Sequence, residues 1–169
     1  DPKRIGIFGG SYGGYATLAG LVFTPDLYTC GVDIVGPSNI KTLLESIPPY
    51  WGPIKKQFVL RIGDVEKDEA LNRKVSPLFH VDKIRVPLII AQGANDPRVN
   101  IRESTQMVEA MRAKGLPVTY VVYPDEGHGF GRPNNRLDFY GRVDEFLAKH
   151  LGGRSLPFAK VEGATGELR

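Results

Sequence analysis

The feature that most constrains this chain is a strand, a sharp turn and a helix within residues 5–21. An apolar run rich in Ile and Phe leads through Gly-Gly-Ser-Tyr-Gly-Gly into a helix-forming stretch. Gly9 and Gly13 flank Ser11 in a G-x-S-x-G pattern, where the strand and helix backbones approach too closely for a Cβ atom. We therefore predict a strained Ser11 with its Oγ above the sheet, and a Tyr12 N–H that is free to bind an oxyanion.

Other interpretations of this glycine-rich turn fit the sequence less well. The pattern is short enough to occur by chance, but the strand before it and the helix after it are the context that the motif requires. A dinucleotide-binding turn needs G-x-G-x-x-G, and a phosphate-binding loop needs a lysine after its last glycine. Neither occurs in the right frame, so a nucleophile turn is the better interpretation.

Composition excludes several classes of function. The 169 residues are 41% hydrophobic and 24% charged, as expected for one globular domain with its own core. The formal net charge is only +3 and the two signs are mixed, which favours a solvated surface over a nucleic-acid site. No apolar run is long enough for a membrane span, and the first residues do not resemble a signal peptide. We therefore expect neither a nucleic-acid nor a membrane partner.

Cysteine and histidine usage adds two expectations. Cys30 is alone and lies in an apolar strand pattern, which favours a buried, inert thiol and is compatible with a cytoplasmic location. The three histidines have no ligand spacing and there is no cysteine pair, so we expect no metal site.

Strand and helix patterns alternate along the rest of the chain. Further strands are predicted at residues 30–36, 86–93 and 118–123. Four strand-helix units require a parallel sheet with right-handed crossovers. We predict an α/β fold with about four parallel strands flanked by helices in residues 1–153, followed by a loose C-terminal tail at residues 154–169.

Helical patterns fill the connections. Helices are predicted at residues 39–47, 54–62, 68–75, 101–114 and about 136–151. Ser38 is the predicted cap of the first of these helices, and Asn100 with Glu103 is the predicted cap of the fourth. The three short helices form an excursion of the kind that covers a substrate. We interpret Tyr50 and Trp51 as aromatic residues that fill the space under this surface segment, rather than as residues that line a pocket.

Three loops at the carboxyl ends of the predicted strands carry Ser11, Asp96 and His128, in this chain order. Such loops share one edge of a parallel sheet. A serine hydroxyl needs an imidazole to take its proton, and the imidazole needs a carboxylate that holds its tautomer and offsets its charge. We therefore predict a Ser-His-Asp triad in the chain order of the α/β-hydrolases.

The acid and the base each have alternatives. Asp96 precedes a proline and could be only a turn former. Asp125 is a rival acid, but it lies on the loop of the histidine, whereas the acid is expected after the preceding strand. His80 follows Pro-Leu-Phe and His150 lies near a helix C-terminus, where a protonated ring is simply favourable. We prefer Asp96 and His128.

With these residues in place, the chain resembles the prolyl oligopeptidase family of serine peptidases, nearest to its acylaminoacyl-peptidase and dipeptidyl-peptidase-like branch. The matching segments are residues 9–15, 76–78, 93–99 and 126–130. The resemblance implies a truncated α/β-hydrolase that cleaves peptide or short ester acyl bonds through an acyl-enzyme. It implies Ser11 as nucleophile, His128 as general base and then acid, and Asp96 as the group that orients His128. The Tyr12 N–H would supply half of the oxyanion hole, and no cofactor is implied.

The resemblance also implies parts that lie outside these residues. Relatives have a β-propeller and several strands before the nucleophile strand, and with them a residue, usually a tyrosine, that gives the second oxyanion donor. Loss of one donor lowers the rate on the order of a hundred- to a thousandfold. The nucleophile strand would also be an exposed edge, and we expect a homo-oligomer that covers it.

Three functions are therefore compatible with the sequence. The first is a serine hydrolase that acts on a small acyl ester or a peptide. The family resemblance favours a peptide, whereas a weakened oxyanion hole favours an activated ester. The second is a catalytically weak or silent fragment of a larger peptidase that needs its missing N-terminal part. The third, a binding protein with a vestigial triad, is disfavoured because all three triad residues are present.

Overall fold

The computed structural model describes residues 1–169, in which a five-stranded sheet carries helices on both faces. The strands are β1 (Gly6–Gly10), β2 (Cys30–Ile34), β3 (Leu88–Gly93), β4 (Val118–Tyr123) and β5 (Glu167–Leu168). The helices are α1 (Tyr12–Phe23), α2 (Ile40–Ser46), α3 (Gly52–Ile62), α4 (Glu69–Val75), α5 (Arg102–Ala113) and α6 (Pro133–Leu151). Short 3-10 helices lie at Pro49–Trp51 and Pro77–Lys83. No helix combines the length and the hydrophobicity that a membrane crossing requires.

The first four strands are parallel and lie side by side in chain order. The predicted α/β fold with four adjacent parallel strands is therefore confirmed. Every residue of β3 is buried, as expected for a strand that is covered on both faces. β1, the strand before Ser11, lies at one edge of the sheet and pairs with β2 alone.

The helices form two layers around the sheet. One layer contains α1 and α5, whose Leu18 and Met107 pack with Val122 of β4. The other layer contains α6, whose Phe139 packs with Val121 of the same strand. Neighbouring residues of a strand point to opposite faces, which is why Val121 and Val122 belong to different layers. The sheet thus has the two-sided cover that its apolar strands predicted.

The C-terminal tail corrects one expectation. Glu167–Leu168 pairs in the antiparallel sense with β4, at the edge of the sheet opposite to β1. The N–H of Arg169 continues this pairing by donating to the carbonyl of Tyr120 at 3.0 Å. The expectation of a loose tail is therefore wrong for its last residues. A two-residue strand is too short for any periodicity to reveal.

The starts of two helices differ in part from the predictions. Asn39, rather than Ser38, caps α2, and its side chain accepts from the Lys41 N–H at 3.1 Å. At the start of α5, Oδ1 of Asn100 accepts from the Arg102 N–H at 2.9 Å, as predicted. Glu103 lies in the first turn of α5, but its carboxylate turns away to accept the N–H groups of Ser38 and Asn39, each at 2.9 Å. The contact spans more than sixty residues of sequence, so a local capping pattern could not predict it.

Candidate active site

Ser11 stands at the turn between β1 and α1 in a conformation that is rare for a residue with a side chain. Its φ is 57° and its ψ is −119°. The turn is tight because a Cβ atom on Gly9 would lie 2.0 Å from the carbonyl oxygen of Gly13. The Ser11 N–H donates to the carbonyl of Ile34 at 2.8 Å, which ties the turn to the end of β2. The predicted strained turn is confirmed.

The loops after β1, β3 and β4 bring Ser11, Asp96 and His128 together at the carboxyl edge of the sheet. Nε2 of His128 lies 2.8 Å from Oγ of Ser11, and Nδ1 lies 2.8 Å from Oδ2 of Asp96. In the tautomer with a proton on Nδ1, the ring donates to the carboxylate and its Nε2 accepts from the hydroxyl. The Asp96 side chain is fully buried, and that of His128 is 14% exposed. A chain of hydrogen bonds therefore runs from the buried Asp96 through His128 to Ser11.

Backbone amides fix the direction of the Asp96 carboxylate. Its Oδ1 accepts from the N–H of Arg98 at 2.8 Å and from that of Val99 at 2.9 Å. Because these donors occupy Oδ1, Oδ2 faces the imidazole of His128. The turn-forming role of Asp96, weighed above as an alternative, is thus real and accompanies its contact with the histidine.

The hydrogen bonds of Ser11 and His128 do not include the rival acid or the rival bases. The Thr165 hydroxyl donates to Asp125, and this hydrogen bond is the main cause that holds the pKa of Asp125 below its usual range. Nε2 of His80 lies 2.8 Å from the carbonyl of Arg73. Burial lowers the pKa of His150, which lies in the last turn of α6. No cluster of three or more His, Cys, Asp and Glu side chains is arranged to hold a metal ion.

A small apolar cavity opens beside Ser11. Its walls include Tyr12, Tyr15, Ile40, Leu43, Trp51 and Phe58. The guanidinium of Arg98 lies 5.5 Å from the centre of the Trp51 ring and forms part of the rim. The interpretation of Trp51 as aromatic filling is therefore wrong, whereas Tyr50 is 69% exposed and does not line this cavity. The cavity lies within reach of a group bound at the Ser11 hydroxyl.

The N-terminus of α1 faces the same space. Tyr12 is the first residue of α1, and the first N–H groups of a helix have no carbonyl partner within that helix. The helix dipole also favours negative charge at this end. These features agree with the predicted use of the Tyr12 N–H as an oxyanion donor, which stays a prediction.

A buried carboxyl group that the sequence reasoning missed lies below the Ser11 turn. Asp33 of β2 is fully buried, and neither of its oxygens has a hydrogen-bond partner. A Cβ atom on Gly14 or Gly36 would lie 2.3 Å or 2.2 Å from its Oδ1, so the carboxyl is enclosed by α1 and by the turn after β2. Burial raises the pKa of Asp33 to about 7, and the nearby N–H of Gly36 partly opposes this shift. A carboxylate inside an apolar strand pattern was the available signal.

Two buried glutamates fix segments next to the site, and the sequence analysis did not predict these roles. Glu103 accepts from Ser38 and Asn39 and so fixes the start of α2, which supplies part of the cavity wall. Burial raises the pKa of Glu103, although these hydrogen bonds oppose the shift. Glu126 accepts from backbone amides within the loop that carries His128. Both are long side chains whose partners only the folded chain reveals.

Fold and site together define an α/β-hydrolase, with Ser11, Asp96 and His128 on the loops where that fold carries its functional groups. A profile described as the prolyl oligopeptidase family matches residues 1–154. The chain belongs to this family, and the resemblance seen in its motifs is confirmed.

Named relatives agree with this placement. The chain is 55% identical over 159 residues to dipeptidyl aminopeptidase BIII of Pseudoxanthomonas mexicana, a match that covers 93% of this chain and 23% of that protein. It is 48% identical over 160 residues to dipeptidyl peptidase family member 6 of Caenorhabditis elegans, covering 92% and 22%. A puromycin-hydrolyzing peptidase of Mycobacterium tuberculosis superposes with a TM-score of 0.84 at 29% identity, covering 93% and 23%. The chain thus spans less than a quarter of the length of these relatives.

Proposed function

We propose that this chain carries the catalytic triad of a serine peptidase, with Ser11 as nucleophile, His128 as general base and Asp96 as the group that orients His128. The observation that carries the proposal is the hydrogen-bonded series from Asp96 through His128 to Ser11, with 2.8 Å at each step. Membership of the prolyl oligopeptidase family supports the same reaction class.

The proposed reaction begins when Nε2 of His128 takes the hydroxyl proton of Ser11. Oγ then forms a bond to the acyl carbon, and the negative charge on the substrate oxygen is stabilised by the Tyr12 N–H. The bond to the leaving amine breaks as the imidazolium returns its proton to the nitrogen. Water, activated by His128, hydrolyses the acyl-enzyme and restores Ser11. Throughout, Asp96 keeps the Nδ1 proton in place and offsets the charge of the imidazolium.

The cavity beside Ser11 suggests the substrate class. Its apolar walls, with Tyr15 and Trp51 among them, suit a small apolar side chain on the acyl side of the cleaved bond. The relatives named as dipeptidyl peptidases support peptides as substrates. We therefore propose short peptides with a small apolar residue before the scissile bond, with activated esters as less demanding substitutes.

A second candidate function is a weak or silent part of a longer peptidase that needs further residues for turnover. Two observations favour it. The strand that precedes Ser11 is an open edge, where Phe8 is 48% exposed. The chain also spans less than a quarter of its relatives, so a second oxyanion donor could come from outside it.

One experiment separates these candidates. A fluorophosphonate probe should label the folded protein at Ser11, and labelling should be lost in Ser11→Ala but retained in the control Ser155→Ala, which alters a tail hydroxyl. Turnover of p-nitrophenyl acetate and of an aminoacyl-nitroanilide is measured beside it. Absence of labelling in a folded sample would overturn a working triad. Labelling with little turnover, restored when the preceding part of a longer homologue is added, would support the second candidate.

A further inference from the structure

The loop between β4 and α6, residues 124–132, carries His128 and is called here the histidine loop. One side chain closes it. Oε2 of Glu126 accepts from the N–H of Gly131 at 2.8 Å, and Oε1 accepts from the N–H of Arg132 at 2.9 Å. The carboxylate thus joins the start of the loop to its end, with His128 between the two attachment points.

A third donor fixes the position of this carboxylate. Nδ2 of Asn135, in the first turn of α6, donates to Oε1 of Glu126 at 2.9 Å. Glu126 is only 4% exposed, so these hydrogen bonds form away from competing water. The carboxylate also lies at the N-terminus of a 19-residue helix, whose dipole favours an anion there. Glu126 therefore has one well-defined position, anchored to α6.

The backbone of the same residue reaches the loop that carries the acid. The carbonyl of Glu126 accepts from the N–H of Asn95 at 2.9 Å, next to Asp96 in the chain. A Cβ atom on Gly93 would lie 2.2 Å from the carbonyl oxygen of Gly127, so the two loops are packed backbone to backbone. Glu126 thus links the histidine loop both to α6 and to the acid loop.

The two residues directly beside His128 give it no side-chain anchor, and the next one, Phe130, packs against Tyr123 and Phe139. Gly127 and Gly129 flank the histidine, and Gly129 has a φ of 82°, so neither neighbour contributes a side chain that could anchor it. An open loop with glycines at these positions would sample many conformations.

We propose that Glu126 is a positioning residue for His128: by closing the histidine loop against α6 and the acid loop, it holds the imidazole in line between Ser11 and Asp96. This role rests on the proposed function of the triad. Glu126 contacts neither substrate nor the reacting atoms and acts through the backbone.

The test compares Glu126→Gln with Glu109→Gln, a change at an exposed carboxylate of α5. Glutamine keeps the shape but places an amide NH₂ among three donors, so at least one hydrogen bond is lost and the loop opens. We expect the rate of Ser11 labelling by a fluorophosphonate, and kcat where turnover is measurable, to fall about 10- to 100-fold. KM should change less than twofold, about the experimental error, because the cavity is untouched. Glu109→Gln should match the wild type in all three.

A second readout does not depend on turnover. The Nδ1 proton of His128, shared with Asp96, should give a resolved downfield proton resonance in the wild type and in Glu109→Gln. In Glu126→Gln we expect this resonance to move or to broaden through exchange with water. If Glu126→Gln does not fold, Glu126→Asp, which keeps the charge but shortens the reach, is measured in its place with the same expectation.

The outcomes separate the two proposals. A folded Glu126 variant with unchanged labelling and an unchanged resonance would overturn the positioning role. A wild type that is never labelled would overturn the proposed function, and the resonance would then still decide whether Glu126 positions His128.

Discussion

The two sides of the candidate site are held in different ways. On the side that supplies the base and the acid, hydrogen bonds join the loops after β3 and β4, α6 and Thr165, which precedes the C-terminal strand. On the nucleophile side, β1 pairs with β2 alone, none of its residues is buried, and every second residue is exposed. The histidine side is therefore held by several hydrogen bonds between its elements, whereas the nucleophile side has unused hydrogen-bonding capacity along the outer edge of β1.

The two sides also differ in how their buried carboxyl groups are paired. On the histidine side the buried carboxylate of Asp138 is paired with Arg142 at 2.9 Å and accepts from the hydroxyl of Tyr123 at 2.8 Å. Below the nucleophile turn, the buried carboxyl of Asp33 has no partner. A buried group without partners destabilises the fold when it is charged. The polar groups on the histidine side therefore stabilise the fold, whereas the nucleophile side contains a buried carboxyl group that has no hydrogen-bond partner.

The largest effect is expected from removing the carboxylate that orients His128, which we assign to Asp96 and not to Asp125. Asp96→Asn should keep the geometry but favour the wrong tautomer of His128, and kcat should fall on the order of a thousand- to ten-thousandfold. Asp125→Asn, the matched change in the rival acid, should lower kcat less than about tenfold, because the hydrogen bonds of Asp125 are to Thr165 and Asn135 and not to His128. Steady-state kinetics on an activated ester would measure both. Equal losses in the two variants would refute the assignment of Asp96.

The next effect concerns the unpaired carboxyl on the nucleophile side. The pKa of Asp33 is about 7 in the folded chain, above the 3.8 of an ordinary Asp. Its neutral form therefore favours folding below about pH 4, and this advantage is lost as pH rises towards 7. Asp33→Asn stays neutral, so its free energy of unfolding should exceed that of the wild type by on the order of a few kcal/mol at pH 8.

Urea unfolding at pH 4 and pH 8 measures this difference. Asp82→Asn, at an exposed carboxyl, is the control and should track the wild type at both values. If Asp33→Asn gained no stability between the two pH values, the carboxyl would not be held as a neutral group in the folded chain.

A smaller effect concerns the open edge. A homo-oligomer that covers β1 remains a prediction, and the exposed Phe8 is the residue that tests it. Phe8→Lys should weaken self-association about tenfold or more, because a charge on an edge strand disfavours pairing. Leu156→Lys, at a more exposed residue of the tail, should not. Sedimentation equilibrium would report both, and a wild type that is monomeric at all concentrations would contradict the prediction.

The parts of this molecule that the sequence predicts are those with local signals. The period of apolar residues located β1 to β4, and the glycines around Ser11 located its strained turn, because those signals arise from backbone geometry. Asp96 and His128 were found because chemistry requires them on adjacent strand ends. Each of these predictions needed only local sequence patterns and the order of the strands and helices along the chain.

The parts that were missed depend on contacts between distant residues. Glu103 looked like a cap for its own helix and instead holds the start of α2. Trp51 looked like filling and lines the cavity beside Ser11. No local sequence pattern distinguishes the predicted role of each residue from its observed role, because a glutamate in a first helical turn and a tryptophan in a loop can serve either role. For Glu103, the partners Ser38 and Asn39, more than sixty residues away in the sequence, determine the role.

The pairing of Glu167–Leu168 with β4 has a consequence for how the chain responds to damage. Thr165, just before this strand, donates hydrogen bonds from its N–H and its hydroxyl to Oδ1 of Asn135, and Nδ2 of Asn135 in turn donates to Glu126. A protease that cuts the exposed stretch at residues 152–154 would leave the four parallel strands untouched. It would nevertheless break the covalent link between α6 and β5, the strand that borders β4. Cleavage far from Ser11 would therefore disturb the position of His128 first.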